Sequence, residues 1–536
     1  MKKTVICAIL GMTAVGGYAQ IGFNLDTYAG AQIATKDLNG TARYVGMGGA
    51  MEALGADIST MSTNPAGIGL FRKSSISTSF GLNVQQDGKS FHDGSKVNAS
   101  FDQIGIVLAT QMTPTSYVNF GFNFHKSRNF DFVLSAADLA YNGSSLHRQT
   151  YVKALRGDLD TDKNKNLVHP YRESQIDQLN YRIIDRYDPK DKTKYVESIS
   201  PLGIDYMFDR AHTGYIGEYD FNISGNVNNR VYWGITLGIH DVHYNAYSEY
   251  SENLEPDPKY PDIKYAKYTD DTQITGTGYD VKAGVIVRPM EESPFRFGIS
   301  VATPTWYSLR SINHTTIGDQ YGVVDNIKDD IEFRLDTPWL FGASVGTTIG
   351  REWALGASYE FADYTSLDLR AITSRNYNSW NDSYVNRSKT DHEMKKLTNR
   401  NLRGVHTLKC GVEFRADEMI SLRLGYNYVS PMYEKSAVRD QTIDSPGVYM
   451  ASTSDYTNWN DTHRLTAGVG FTFDKFRLDL AYQYSATNGL FYPYMSSLTG
   501  SNVDKDGKPF TMTNECHGVD VSNKRHQLLC TLNYTF

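Results

Sequence analysis

Beyond its first nineteen residues, the sequence has no run of about twenty apolar residues, so it contains no candidate transmembrane helix. Cysteine is scarce: if the first nineteen residues are removed, Cys410, Cys516 and Cys530 remain, which allows at most one disulfide. Positive charge is not in excess, since 53 Lys and Arg are set against 60 Asp and Glu. These absences exclude a disulfide scaffold and argue against nucleic acid as a partner.

The N-terminus has the pattern of a Sec signal peptide. Met1-Lys2-Lys3 is positively charged, residues 4–17 are apolar and small, and small residues occupy the cleavage positions before Gln20. We therefore expect residues 1–19 to be a signal peptide that is cleaved after Ala19, and the chain to be exported.

Period-two alternation recurs along the chain and predicts β-strands with one apolar and one polar face. Ile76, Phe80 and Leu82, for example, alternate with Ser77 and Ser79. The second face carries charged residues, Asn and Gly, which suits a polar barrel interior better than a protein core. An even number of strands is typical of a closed antiparallel barrel. We count fourteen segments, near 74–84, 98–110, 116–126, 215–226, 230–245, 273–288, 295–308, 331–348, 352–365, 402–416, 419–430, 461–474, 475–486 and 524–536.

The connections between these segments are alternately short and long, which distinguishes a barrel from a β-sandwich. Outer-membrane barrels have short turns at one end and long extracellular loops at the other. The short connections are 111–115, 227–229, 289–294, 350–351, 416–418 and 474–475. The long ones are roughly 85–97, 127–214, 246–272, 309–330, 366–401, 431–460 and 487–523.

The strand ends support a location in the outer membrane of a Gram-negative cell. Aromatic residues at predicted strand ends, such as Trp233, Trp353, Tyr426 and Tyr428, fit the interfacial girdles of such barrels, which contact lipid. The alternating C-terminal segment ends in Phe536 and resembles the closing strand by which the barrel-assembly machinery recognises these proteins. We therefore expect lipid and that machinery as partners.

Residues 20–73 do not alternate, and we expect them to form a short helical hatch that plugs the lumen ahead of the barrel, residues 74–536. A barrel of about fourteen strands is wide enough to leak unless its lumen is filled. Apolar residues recur in this segment at helical spacing, and we expect them to pack the hatch against the wall or to contact ligand. They are Met47, Met51, Leu54, Ile58 and Met61.

The run "ARYVGMGGAMEALGADISTMSTNPAGIGLFRKSS" resembles the N-terminal hatch of the FadL/TodX family of outer-membrane transporters of hydrophobic compounds. Later stretches, "FGISVATPTWYSL", "WALGASYEFADYTSLDL" and "LRLGYNYVSPMYE", are similar to that family too. The resemblance implies an all-β fold with fourteen strands. It also implies passive uptake of a hydrophobic or amphipathic small molecule, such as a long-chain fatty acid, without a cofactor.

The resemblance also implies site residues. Asn64, Pro65, Ala66 and Gly67 match the family's hatch turn, which would hold or gate the plug, with Asn64 hydrogen-bonding the barrel interior. A lateral outlet through the wall is implied, and Gly121 is a possible kink there. Some barrels of this family instead dock proteins in type IX secretion, so a secreted protein at the long loops is the alternative partner.

Motifs for other chemistry are weak. His240 and His243 would point to opposite faces of a strand, and the acidic run from Asp158 to Asn166 in the 127–214 loop lacks the Gly and Glu of a calcium loop. His125 is interpreted as polar lining of the lumen. No nucleophile elbow or phosphate loop occurs. We therefore expect no enzyme activity, no cofactor and no metal site.

Overall fold

The computed structural model describes residues 22–159, 174–188, 190–378, 383–503 and 508–536. Fourteen antiparallel strands pair in chain order, and the first pairs with the last, so the sheet is closed as predicted. The predicted signal peptide, residues 1–19, lies outside the described residues. The strands are β1 (Ser75–Gln85), β2 (Val97–Thr113), β3 (Ser116–Asn129 and Phe132–Leu139), β4 (Gly203–Val227), β5 (Val231–Leu254), β6 (Tyr265–Val287), β7 (Arg296–Ala302 and Trp306–Asp319), β8 (Gly322–Asp336 and Leu340–Ile349), β9 (Trp353–Asp363 and Asp368–Asn378), β10 (Ser383–Thr390 and Gly404–Arg415), β11 (Ile420–Val429), β12 (Tyr456–Phe473), β13 (Phe476–Tyr492) and β14 (Val519–Thr535).

Helices and two small hairpins complete the described elements. None of the described helices is long and apolar enough to cross a membrane. The helices are α1 (Thr27–Ala34), α2 (Ala42–Gly46), α3 (Leu146–Arg156), α4 (Gln175–Ile184), α5 (His392–Asn401) and α6 (Pro446–Tyr449), with 3-10 turns at Ile58–Ser62, Pro65–Leu70, Tyr141–Gly143 and Tyr364–Ser366. The hairpins are Asp185–Asp188 with Asp191–Ser198, and Ser497–Val503 with Pro509–Glu515.

The two faces of the barrel wall differ as the alternation predicts. On β1, Phe80 is 52% exposed on the outside, whereas Ser77 and Ser79 are buried on the inside. On β14, Leu528 and Leu532 are exposed while Thr531 is buried. Because hydrocarbon offers backbone amides no hydrogen-bond partner, a closed sheet with an apolar outer belt is the β-structure that suits a lipid bilayer.

The connections at one end of the barrel are short turns, but several predicted loops at the other end are largely strand. The predicted loop 246–272 shrinks to the connection 255–264, and 309–330 shrinks to 320–321. There the ladder of β5 and β6 continues while outward positions become polar, as at Asn245 and Glu249. Without an apolar outer face these segments lose the alternation from which the strands were predicted.

Residues 22–73 lie inside the barrel. Their hydrogen bonds and ion pairs reach Asp102 of β2, Glu218 of β4, Arg296 of β7, Glu413 of β10 and Thr531 of β14. These strands are spread around the closed sheet, so a segment that contacts all of them occupies its interior. We call residues 22–73 the N-terminal segment.

The described helices of the long connection between β3 and β4 lie over the open end of the barrel. These helices, α3 and α4, bury apolar side chains against Phe208, Tyr268 and Phe491 on the inner face of the wall. The described helices are linked by an ion pair between Lys153 and Asp177. All but the first two residues of the acidic run 158–166 lie outside the described residues.

Candidate functional site

A row of four glycines on the inner wall receives the N-terminal segment. Gly346, Gly356, Gly411 and Gly425 are successive cross-strand partners on β8, β9, β10 and β11. A Cβ added to Gly411 would lie 2.3 Å from the carbonyl oxygen of Met47, and one added to Gly356 would lie 2.0 Å from that of Ala50. The missing side chains therefore allow backbone to pack directly on backbone.

The five apolar residues proposed to contact ligand are all buried in this packing, and none of them lines the main cavity described below. Met61 covers Gly121, with its Cε 2.1 Å from the position of an added Cβ. Gly121 pairs with both β2 and β4 without a register shift, and the irregularity of β3 falls between Lys126 and Arg128 instead. A direct role in ligand contact remains a prediction for Met47, Met51, Leu54, Ile58 and Met61.

The turn from Asn64 to Gly67 is buried against β5, β6 and β7. The Asn64 side-chain oxygen accepts a hydrogen bond from the Ala66 amide at 3.2 Å and caps the 3-10 turn that begins at Pro65. This oxygen lies 2.0 Å from an added Cβ on Gly284, so the wall has a glycine where the turn docks. The expected hydrogen bond from Asn64 to the barrel is not formed, because its oxygen is used within the turn and Nδ2 has no partner.

A cavity of about 480 Å³ lies between α1, residues 35–39 and the inner wall. One side is apolar and aromatic, with Tyr28, Ile33, Phe130, Tyr244 and Ile274 belonging to one buried cluster. α3 and α4 cover the barrel on one side of this cavity, and residues 42–73 fill the barrel lumen on the other side. Its size and mixed lining are typical of a small-molecule site.

Three arginines, Arg128, Arg464 and Arg525, also line the cavity, and Arg128 lies 5.7 Å from the ring of Phe130. Arg128 is 2.9 Å and Arg464 is 4.0 Å from an oxygen of Asp37 in the N-terminal segment. Burial raises the pKa of the Asp37 carboxyl, but the three guanidinium groups lower that pKa further, so the net shift is downward. The guanidiniums outnumber Asp37 and the neighbouring Asp131, and this side of the cavity is therefore positive.

The arginine side retains unused hydrogen-bond donors. Among the described residues, the Nε–H groups of Arg128 and Arg525 are buried without an acceptor. Arg525 donates to the carbonyl oxygens of Asn129 and Asp131, at 3.4 and 2.7 Å. Buried N–H groups are normally satisfied, so these two are exceptions within the arginine cluster.

Next to the arginines, the wall has a seam between β2 and β3. Pairing of these strands ends at Gln103 and His125, and beyond it β2 pairs only with β1. The free edge of β3 is occupied by the N-terminal segment, since the Asp37 amide donates to the Ser127 carbonyl at 2.8 Å. Asn39 donates to Asp102 on β2 at 3.0 Å and to Lys126 on β3 at 3.1 Å. We call this contact, residues 100–102, 126–129 and 37–39, the β2–β3 seam.

Sequence reasoning missed the arginines and the seam. Arg464 and Arg525 fall on inward positions of predicted strands. A positive charge at such a position was the sequence signal that could have indicated the arginine site. Nothing in the sequence indicates where pairing of β2 and β3 stops. As predicted, His240 is buried on the inner face, and His243 is half-exposed on the outer face.

No known family model and no characterised protein matches the sequence. Solved structures are similar in fold, and those of the FadL and TodX type predicted from the N-terminal motif are among them. A FadL homologue of Pseudomonas aeruginosa has 13% identity and a TM-score of 0.45, over 96% of this chain and 100% of its own. The toluene transporter TbuX of Ralstonia pickettii has 11% identity and 0.45, over 93% and 99%. The monoaromatic hydrocarbon channel CymD has 10% identity and 0.48, over 94% and 99%.

Proposed function

We propose that this protein is an outer-membrane channel for passive uptake of a hydrophobic or amphipathic small molecule. The observation that carries the proposal is the amphipathic cavity, enclosed between the N-terminal segment and the α3–α4 cover inside a closed barrel. A lumen filled in this way cannot serve as an open aqueous pore. An apolar compound that passes through the enclosed cavity is stabilised because its surface stays out of water. The proposed partners are that ligand and the surrounding lipid, with the barrel-assembly machinery acting on the strand that ends at Phe536.

We further propose that the ligand is anionic and resembles a long-chain fatty acid. The aromatic side of the cavity suits a hydrocarbon tail, and the arginine side suits a carboxylate. A hydrogen bond to a charged group contributes about 1.5–3 kcal/mol, or about 10- to 100-fold in affinity. The β2–β3 seam lies beside the arginines and is the proposed outlet, with Asn64 to Gly67 anchoring the part of the segment that stays docked.

The binding step is tested with dodecanoate and its neutral counterpart dodecanol, by titration calorimetry on the full chain in detergent. Arg464→Gln and Arg525→Gln should each weaken dodecanoate binding at least tenfold and leave dodecanol unchanged. Arg415→Gln, exposed at the opposite end of the barrel, is the matched control. If neither compound binds the native chain, the uptake proposal fails, and docking of a secreted protein at the loops becomes the better explanation.

The outlet is tested by closing the seam with Asn39→Cys and Asp102→Cys, which replace a 3.0 Å side-chain contact, in a chain whose own cysteines are changed to serine. A short bis-methanethiosulfonate that joins the two thiols should stop delivery of dodecanoate into proteoliposomes without changing binding, and a reductant should restore delivery. Delivery that continues at the native rate through the cross-linked chain would exclude this seam as the outlet.

A further inference from the structure

The inner faces of β3, β4, β5 and β6 hold a cluster of charged residues that the uptake proposal does not use. His125, Glu218 and His240 are successive cross-strand partners on β3, β4 and β5. Two residues closer to the short turns along these strands, Asp220 of β4 and Asp280 of β6 both pair with Gly238 of β5. All five charged or titratable residues are at most 6% exposed.

Lys282 binds one oxygen of each carboxylate. Its ammonium lies 2.7 Å from Glu218 Oε1, 3.1 Å from Asp220 Oδ1 and 2.6 Å from Asp280 Oδ1. Gly238 makes room for it, because a Cβ there would lie 2.5 Å from the Lys282 nitrogen. The second oxygens, Glu218 Oε2 and Asp280 Oδ2, face the histidines and the cavity.

A cation from the N-terminal segment lies near two of the second oxygens, of which Asp280 Oδ2 also accepts hydrogen bonds from His240 Nε2 and Thr305 Oγ1 at 3.1 and 3.2 Å. The Lys36 ammonium is 3.4 Å from Glu218 Oε2 and 3.9 Å from Asp280 Oδ2, and its side chain is 42% exposed. With neutral imidazoles, the three carboxylates exceed the two ammonium groups by one negative charge. A divalent cation in place of Lys36 would leave the cluster neutral, which matters because unpaired buried charge is costly.

His240 points an unused lone pair at this position. Its Nε2 lies 3.1 Å from Asp280 Oδ2 and donates to it, so Nδ1 carries the lone pair. This fully buried Nδ1 has no hydrogen-bond partner and faces Glu218 Oε2 at 3.6 Å. Two electron-rich atoms that face each other in a buried site are complementary to a cation between them.

His125 lies on the other side of Glu218, in a second group with Glu218 and Asp220. Its Nε2 is 3.8 Å from Glu218 Oε2, and its Nδ1 is 3.6 Å from Asp220 Oδ2, an oxygen without a partner. Ligand atoms of a tetrahedral zinc site with bonds of 2.0–2.1 Å are about 3.4 Å apart. The 3.6 Å between His240 Nδ1 and Glu218 Oε2 is close to this spacing.

We propose that this cluster is a binding site for a divalent transition metal such as Zn²⁺. Glu218 Oε2 and His240 Nδ1 are its protein ligands, Asp280 holds His240 through Nε2, and Lys36 occupies the cation position in the metal-free protein. Imidazole and carboxylate are ligands that zinc favours, and a carboxylate behind a histidine is the usual support for such a ligand. Because metal and Lys36 compete for Glu218 Oε2, metal binding releases one ionic contact between the N-terminal segment and the wall.

The test uses the full chain in detergent after treatment with a chelator. Zn²⁺ binding is measured by calorimetry, and Co²⁺ is added as a spectroscopic probe of histidine ligation. We expect one Zn²⁺ per chain, with affinity about 100-fold lower in His240→Gln or Glu218→Gln. His243→Gln is the matched control, because this residue lies three positions along the same strand but points outward.

Lys36→Met gives a second test. Lys36 lies in the N-terminal segment, so this variant leaves the strands unaltered. The variant should bind Zn²⁺ several-fold more tightly than the native chain. Folding of every variant is checked by its heat-dependent mobility in gels. Absence of Zn²⁺ binding in both the native chain and Lys36→Met would overturn the proposal. Equal losses in His243→Gln and His240→Gln would also overturn it, because binding would then be on the surface.

Discussion

Replacing one glycine of the inner row tests how the N-terminal segment is held. In Gly411→Ala, the new methyl group would lie 2.3 Å from the carbonyl oxygen of Met47 and 3.2 Å from its Cα. An ordinary contact begins near 3.4 Å. The segment and the wall must therefore separate by about 1 Å, so the substitution overpacks a well-filled core.

The segment should move rather than the wall. Gly411 is paired on both sides, to Gly356 and to Gly425, whereas Met47 belongs to a chain of short helical turns. Overpacking typically costs about 1–3 kcal/mol. If this cost falls on docking of the segment, the undocked fraction rises by about 5- to 100-fold.

Conductance in planar bilayers and swelling of sugar-loaded liposomes report the undocked fraction. We expect Gly411→Ala to leak more than the native protein, and a chain lacking residues 46–67 to set the upper limit. Gly342→Ala is the control, because its methyl group would meet only the Ser300 hydroxyl, which can rotate away. If Gly411→Ala and the deletion are both as tight as the native chain, the segment does not seal the lumen and this reasoning is refuted.

Three further predictions concern charge and burial. Glu413→Gln removes the carboxylate that pairs with Arg43 at 3.0 Å and with two wall arginines, so the free energy of unfolding in urea should fall by about 3–5 kcal/mol. Burial raises the pKa of the Cys516 thiol to about 12, so iodoacetamide at pH 8 should modify it slowly in the folded protein and rapidly in urea. The lowered pKa of Asp37 means that its stabilising ion pairs are present at neutral pH and are lost as pH falls through that lowered value. Leakage should therefore rise only at a pH below the range in which a free carboxyl titrates, and Asp37→Asn should abolish that rise.

The barrel could be predicted because lipid imposes a strict pattern on its outer face. Residues such as Phe80 and Leu528 must be apolar wherever the wall meets hydrocarbon, and this repeats every second position. Above that belt the constraint ends, so the outer parts of β5 and β6 could not be distinguished from loops.

The candidate site was less predictable, because it depends on register between strands. Gly346 and Gly425 lie 79 positions apart in the sequence, and only cross-strand pairing places them in one row. The cluster of His125, Glu218 and His240 arises in the same way from three strands. No single strand shows it, because alternation indicates the face on which a residue lies but not which residues on other strands are beside it.

The height of the arginines in the wall has a consequence for how a charged compound could travel. Arg464 and Arg525 are the immediate sequence neighbours of His463 and His526, whose rings lie on the outer face against Tyr426 and Tyr482 at the upper edge of the apolar belt. The guanidinium groups are thus level with the depth at which lipid head groups meet hydrocarbon. An amphiphile that leaves through the neighbouring wall at this depth keeps its charged end among other charges, and only its tail enters the bilayer interior.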